Sequence, residues 1–142
     1  MLAAMLAAAP ALAAQTLNCV QFAKQASDVE LSGDAWMWWF RAEGEYRRGA
    51  VPNRGSVLVF KRTNQMRYGH VAVVTAIADR RTVTIDHANW SIRRGGKGRI
   101  ERNVLAVDVS PNNDWSEVRV WYDAGGGFGR VNPTYGFIYA AG

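Results

Sequence analysis

Cysteine and histidine are the scarce residues of this 142-residue chain: one cysteine, Cys19, and two histidines, His70 and His87. A single cysteine excludes an internal disulfide framework and any zinc site built on paired cysteines. No HExxH stretch is present either, so nothing in the spacing points to a metal. There is no internal repeat, and the one low-complexity stretch is Gly125-Gly126-Gly127. That stretch opens no helix, so it is a turn rather than a phosphate-binding loop. Charged residues make up 20% and aromatic residues 11%, a balance that argues against disorder. The length fits one domain with one core.

The longest apolar run lies at the start, MLAAMLAAAPALAA over residues 1–14. It is too short to cross a bilayer, which takes about 20 apolar residues. It has the character of a secretory signal core, with Ala11-Leu12-Ala13 as a small-x-small cleavage site, although no Lys or Arg precedes it. The expectation is an export signal over 1–14 and a single catalytic domain over 15–142, secreted or periplasmic and not integral to the membrane. Outside that run about 45% of residues are hydrophobic, which is ordinary for a globular domain.

Asn18 followed by Cys19-Val20-Gln21-Phe22-Ala23-Lys24-Gln25-Ala26 reads as a capped helix with Val20 and Ala23 inward. A second helix is expected from Asp34 through about Tyr46, carrying the buried run Trp36 to Phe40. After Pro52 the pattern turns to period two and β-branched residues. Strands are expected at Ser56–Phe60, His70–Ile77, Thr82–Ile85, Val104–Val109, Val118–Tyr122 and Gly136–Tyr139. The class is α+β, with the N-terminal helices packed on one side of a mostly antiparallel sheet of five to six strands.

The hairpin between the second and third strands brings the histidines together. A symmetric turn on Asp79 and Arg80 pairs His70 with Asn89 and Ala72 with His87. His70 and His87 are then diagonal neighbours about 7–8 Å apart at the backbone. Asp86 falls on the opposite face, unless a one-residue bulge exchanges it with His87. Cys19 stands at the start of its helix, where free amides and the dipole favour a thiolate. Nucleophile, base and orienting group together form the cysteine version of a catalytic triad. Spacing alone leaves open an inert buried thiol, or an intermolecular disulfide.

Five segments in order carry a family resemblance: Asn18-Cys19-Val20-Gln21-Phe22-Ala23, Gly33-Asp34-Ala35-Trp36, Pro52 through Phe60, Gly69-His70-Val71-Ala72-Val73-Val74, and His87-Ala88-Asn89-Trp90. Over residues 17–122 the chain resembles the CHAP domain, the cysteine, histidine-dependent amidohydrolases and peptidases of the papain-like superfamily. The resemblance implies a papain-like fold, Cys19 as nucleophile and His70 as general base. Where many members carry Glu at the third position, this chain has His87, with Asn89 and Trp90 kept. His87 is then the orienting residue and Asn89 its partner, with Asp86 the remaining alternative. A neutral third member leaves a Cys–His ion pair with less support than a carboxylate would give. The implied reaction is hydrolysis of an amide bond in peptidoglycan or its stem peptides through an acyl-thioester, without a cofactor. A catalytically silent wall-binding module and an acyltransferase on the same fold are the alternatives, and a monomer is expected.

Trp90 and Trp115 are candidates for substrate contact, whereas Trp36, Trp38 and Trp39 at helical spacing are core. The net charge of +5 and the run Arg93-Arg94-Gly95-Gly96-Lys97-Gly98-Arg99 suit an anionic wall or a solvated loop, and not nucleic acid.

Overall fold

The computed structural model describes residues 17–90 and 98–140. The proposed export segment 1–14 and most of the basic run, 93–97, lie outside these. The elements are α1 (Cys19–Ala26), a 3-10 turn (Ala35–Met37), α2 (Trp38–Arg41), and strands β1 (Arg48–Gly49), β2 (Val57–Phe60), β3 (His70–Asp79), β4 (Thr82–Ala88), β5 (Ile100–Asp108), β6 (Glu117–Tyr122), β7 (Gly127–Phe128) and β8 (Asn132–Ile138). No helix among the described residues is long and apolar enough to cross a membrane.

The expected open sheet with helices on one side is not what forms. All strand pairings are antiparallel, in the order β1-β8-β2-β3-β4-β5-β6-β7, and β8 also pairs with β6. That extra pairing, Glu117 with Pro133 and Val118 with Asn132, closes β2, β3, β4, β5, β6 and β8 into a six-stranded barrel. The protein is therefore mostly β, with two short helices on the barrel wall.

Closure has local causes. β-Bulges interrupt the β2–β8, β3–β4 and β4–β5 ladders and bend the sheet. In β8, Gly136 has φ +134 and a side chain there would meet the Gly49 carbonyl at 2.6 Å, so only glycine admits the two backbones. β2 is buried along its whole length because both its faces are covered. Leu58 and Phe60 point into the barrel with Ala72, Val74, Ile85 and Phe137. Val57 and Val59 face out, with Val71 and Val73, under Ala23, Val29 and Trp38.

The second helix is much shorter than expected. Only Trp38–Arg41 is α-helical, and Gly44 takes φ +81 soon after. Trp38 is fully buried while Trp39 and Phe40 lean on Tyr135, so tertiary packing of bulky rings shapes this stretch rather than helix propensity. α1 agrees with the sequence pattern. Asn18 Oδ1 accepts from the Gln21 amide at 2.8 Å and the Asn18 amide donates to Gln21 Oε1 at 3.2 Å, forming a capping box.

Candidate active site

Cys19 is the first residue of α1 and is half-buried against the outer face of the barrel. The cap engages the Gln21 amide and Phe22 bonds to the Asn18 carbonyl, which leaves the Cys19 and Val20 amides to the sulfur. The Val71 amide of β3 also approaches the sulfur, which places the thiol next to the His70–Val71 peptide. Burial pushes the Cys19 thiol up, outweighing the hydrogen bonds from Val71, Val20 and Cys19 amides that pull it down. The helix start was expected to favour a thiolate; here desolvation prevails and favours the thiol.

His70 opens β3 directly after Gly69. Gly69 has φ +68, and a side chain on it would lie 2.7 Å from the Phe60 carbonyl, so glycine sets the entry angle of the strand. His70 is 3% exposed, and burial first, then the neighbouring His87, hold its imidazole well below the usual histidine range. His70 Nε2 lies 2.9 Å from His87 Nδ1. This leaves Nδ1 as the His70 nitrogen open to a nucleophile.

The hairpin brings the two histidine side chains together as expected, by a less symmetric route. The turn is centred on Arg80 and Arg81, with Asp79 opposite Thr82, and two bulges shift the register until Val73 faces Asp86. Asp86 points away, accepting from the Asn103 amide at 2.7 Å and from Arg102 at 3.3 Å. The Asn89 side chain accepts from the Gly98 amide at 2.8 Å, so its hydrogen bond ties the ends of the β4–β5 connection and not the His70 ring. Trp90 does reach the pair: its ring centroid is 4.7 Å from His70, 5.4 Å from His87 and 5.3 Å from Phe60. Trp115, expected at a substrate groove, is 1% exposed and packs edge-on against Phe137 inside the barrel. A ring enclosed there contacts core, not substrate. Of the three expected core tryptophans only Trp38 is fully buried.

One residue at the site went unrecognised in the sequence. Glu101 of β5 stands opposite His87, and its Oε2 is 3.4 Å from His87 Nε2. The expected strand began at Val104, and the polar stretch Glu101-Arg102-Asn103 concealed its earlier start. No group of three or more metal-ligating side chains occurs among the described residues.

A free thiol at a helix start, against the strand that carries a buried imidazole whose Nε2 meets a second imidazole, is an arrangement suited to acyl transfer by a cysteine nucleophile. The family model for the CHAP domain matches residues 11–89, more than half of the chain and including both Cys19 and the two histidines. The chain belongs to the CHAP domain family, whose members are amidohydrolases and peptidases associated with peptidoglycan. No curated protein matches the sequence.

Proposed function

We propose that the protein is an exported cysteine amidase or endopeptidase that hydrolyses an amide bond of peptidoglycan, with Cys19 as nucleophile, His70 as general base and His87 as the residue that orients His70. The observation carrying this reading is the 2.9 Å contact between His70 Nε2 and His87 Nδ1 at the strand that flanks Cys19. Burial favours the neutral forms of both Cys19 and His70. The proton therefore passes from Sγ to His70 Nδ1 as sulfur attacks the amide carbonyl. The tetrahedral oxyanion is received by the Cys19 and Val20 amides at the helix start, which bond the sulfur at rest. Collapse forms an acyl-thioester while His70 returns the proton to the leaving amine. A water molecule, deprotonated by His70, then releases the acid and restores the thiol. Trp90 covers the dyad and shields it from water.

The test is digestion of purified peptidoglycan by wild type and by Cys19→Ala, with soluble fragments identified by mass spectrometry. New amine and carboxyl ends released by wild type alone support the reading and locate the bond. Identical profiles for the two proteins remove it.

A further inference from the structure

Both ring nitrogens of His87 face another titratable group. Nδ1 meets His70 at 2.9 Å. Nε2 is fully enclosed, lacks a hydrogen-bond partner in good geometry, and lies 3.4 Å from Glu101 Oε2. The strands fix this spacing, since His87 and Glu101 are direct partners across β4 and β5, just past the bulge that follows Ile85. Glu101 is one-quarter exposed, and the adjacent His87 ring chiefly holds its carboxyl below the usual range, with help from the charge of Arg99. It is therefore an acceptor only.

Two neutral histidines joined through one hydrogen bond have two proton arrangements. In the first, His87 carries its proton on Nε2, so its Nδ1 accepts from His70 Nε2–H and His70 Nδ1 keeps a free lone pair. In the second, His87 carries its proton on Nδ1 and donates to His70 Nε2, so His70 must carry its own proton on Nδ1. Only the first leaves His70 able to take the proton of a thiol, and only the first gives a carboxylate at Nε2 something to accept.

We propose that Glu101 is a positioning residue: its carboxylate holds the His87 proton on Nε2 and thereby keeps His70 Nδ1 free as the base. This rests on the assignment of His70 as the general base. The charge has a second effect. When His70 becomes an imidazolium, the positive charge shared along the dyad faces an anion one residue further away. Of the nearby charged and titratable groups among the described residues, Arg99 ahead of β5 acts on Glu101, Cys19 on α1 lies at the Val71 amide, and Asp86 pairs with Arg102. Glu101 also lies beyond the stretch that matches the family model, which ends at Asn89.

The two histidines make the test direct, because 15N-histidine labelling gives a spectrum of these rings alone. Wild type is expected to show both rings as the Nε2–H tautomer. Glu101→Ala should move His87, and with it His70, toward Nδ1–H, and Glu101→Asp should restore the wild-type pattern in part. Glu101→Gln keeps the side-chain volume in case the alanine variant folds poorly. Its amide either accepts from Nε2 or donates to it, so a mixture of tautomers is expected. In turnover, Glu101→Gln should lower kcat by about 10- to 100-fold with KM nearly unchanged. In a His87→Ala background, Glu101→Ala should change kcat no further. Unchanged tautomers in both Glu101→Ala and Glu101→Gln overturn the inference. Shifted tautomers in a protein that leaves peptidoglycan intact uphold Glu101 and reject the substrate assignment instead.

Discussion

His70 and His87 share one hydrogen bond, Nε2 to Nδ1 at 2.9 Å, with their rings nearly perpendicular at 75° and Trp90 packed against both. Removing the second ring should therefore disturb the base more than the binding of substrate. His87→Ala is expected to lower kcat by about 10²- to 10⁴-fold while KM changes little. Steady-state kinetics on a soluble fragment decide it, and a loss confined to KM would place His87 in substrate binding.

The buried His70 makes stability depend on pH. Its folded form holds a proton well below the usual histidine pKa, so the unfolded chain protonates first as pH falls. Stability is full above about pH 6.5 and declines below it, by up to about 1.4 kcal/mol per pH unit, until the folded ring also protonates. The lowered carboxylates, Glu101, Asp79, Asp108 and Asp114, act only at lower pH, beneath their ordinary range near 4. Urea midpoints between pH 7 and 5 should fall for wild type and fall less for His70→Asn. An equal slope in both would assign the effect elsewhere.

How much of this was legible in the sequence differs by element. Asn18 and Gln21 announce α1 because a capping box is local chemistry, written within four residues. The histidine pairing was also accessible, since a short turn and alternating Val and Ile residues constrain a hairpin. Two bulges moved the turn by one residue and returned the register before it reached Val73 and Asp86. Barrel closure left no such trace. It depends on β8 pairing with both β2 and β6, contacts between segments far apart in the chain, and on the close approach of Gly136 to Gly49. Glu101 was hidden for the related reason that a charged strand end does not read as a strand until its partner is known. Trp115 shows the converse: a turn-like neighbourhood, Asn112 to Ser116, delivers an aromatic ring into the core.

Trp90 contributes its ring to the dyad's enclosure, and its removal should open both histidines to water. Trp90→Ala is expected to lower kcat, and to move the acid limb of the kcat/KM profile upward toward the ordinary histidine value near 6.5, because less burial opposes the imidazolium. Trp90→Phe should retain most of the wild-type profile. A pH profile that stays in place in Trp90→Ala would show that the ring does not desolvate His70.

Two glycines with similar backbone angles separate strain from crowding. Gly44 has φ +81 and open space around it, whereas Gly69 has φ +68 and the Phe60 carbonyl and Trp36 at less than 3 Å from any added Cβ. Gly44→Ala should cost about 1 kcal/mol and leave activity intact. Gly69→Ala must displace the start of β3, so it should cost more in stability and also lower kcat by moving His70. Equal activity in the two variants would show that the entry of β3 tolerates a shift.

The central claim is that Cys19 carries the acyl group. Peptidoglycan fragments mixed with enzyme, quenched in acid within the turnover time and analysed by peptide mass mapping, test it most directly. The account predicts a peptide containing Cys19 heavier by the acyl portion of the substrate, sensitive to hydroxylamine, and no such species in Cys19→Ala. Fragments released at an undiminished rate by Cys19→Ala, with no mass added to Cys19 in wild type, would contradict it.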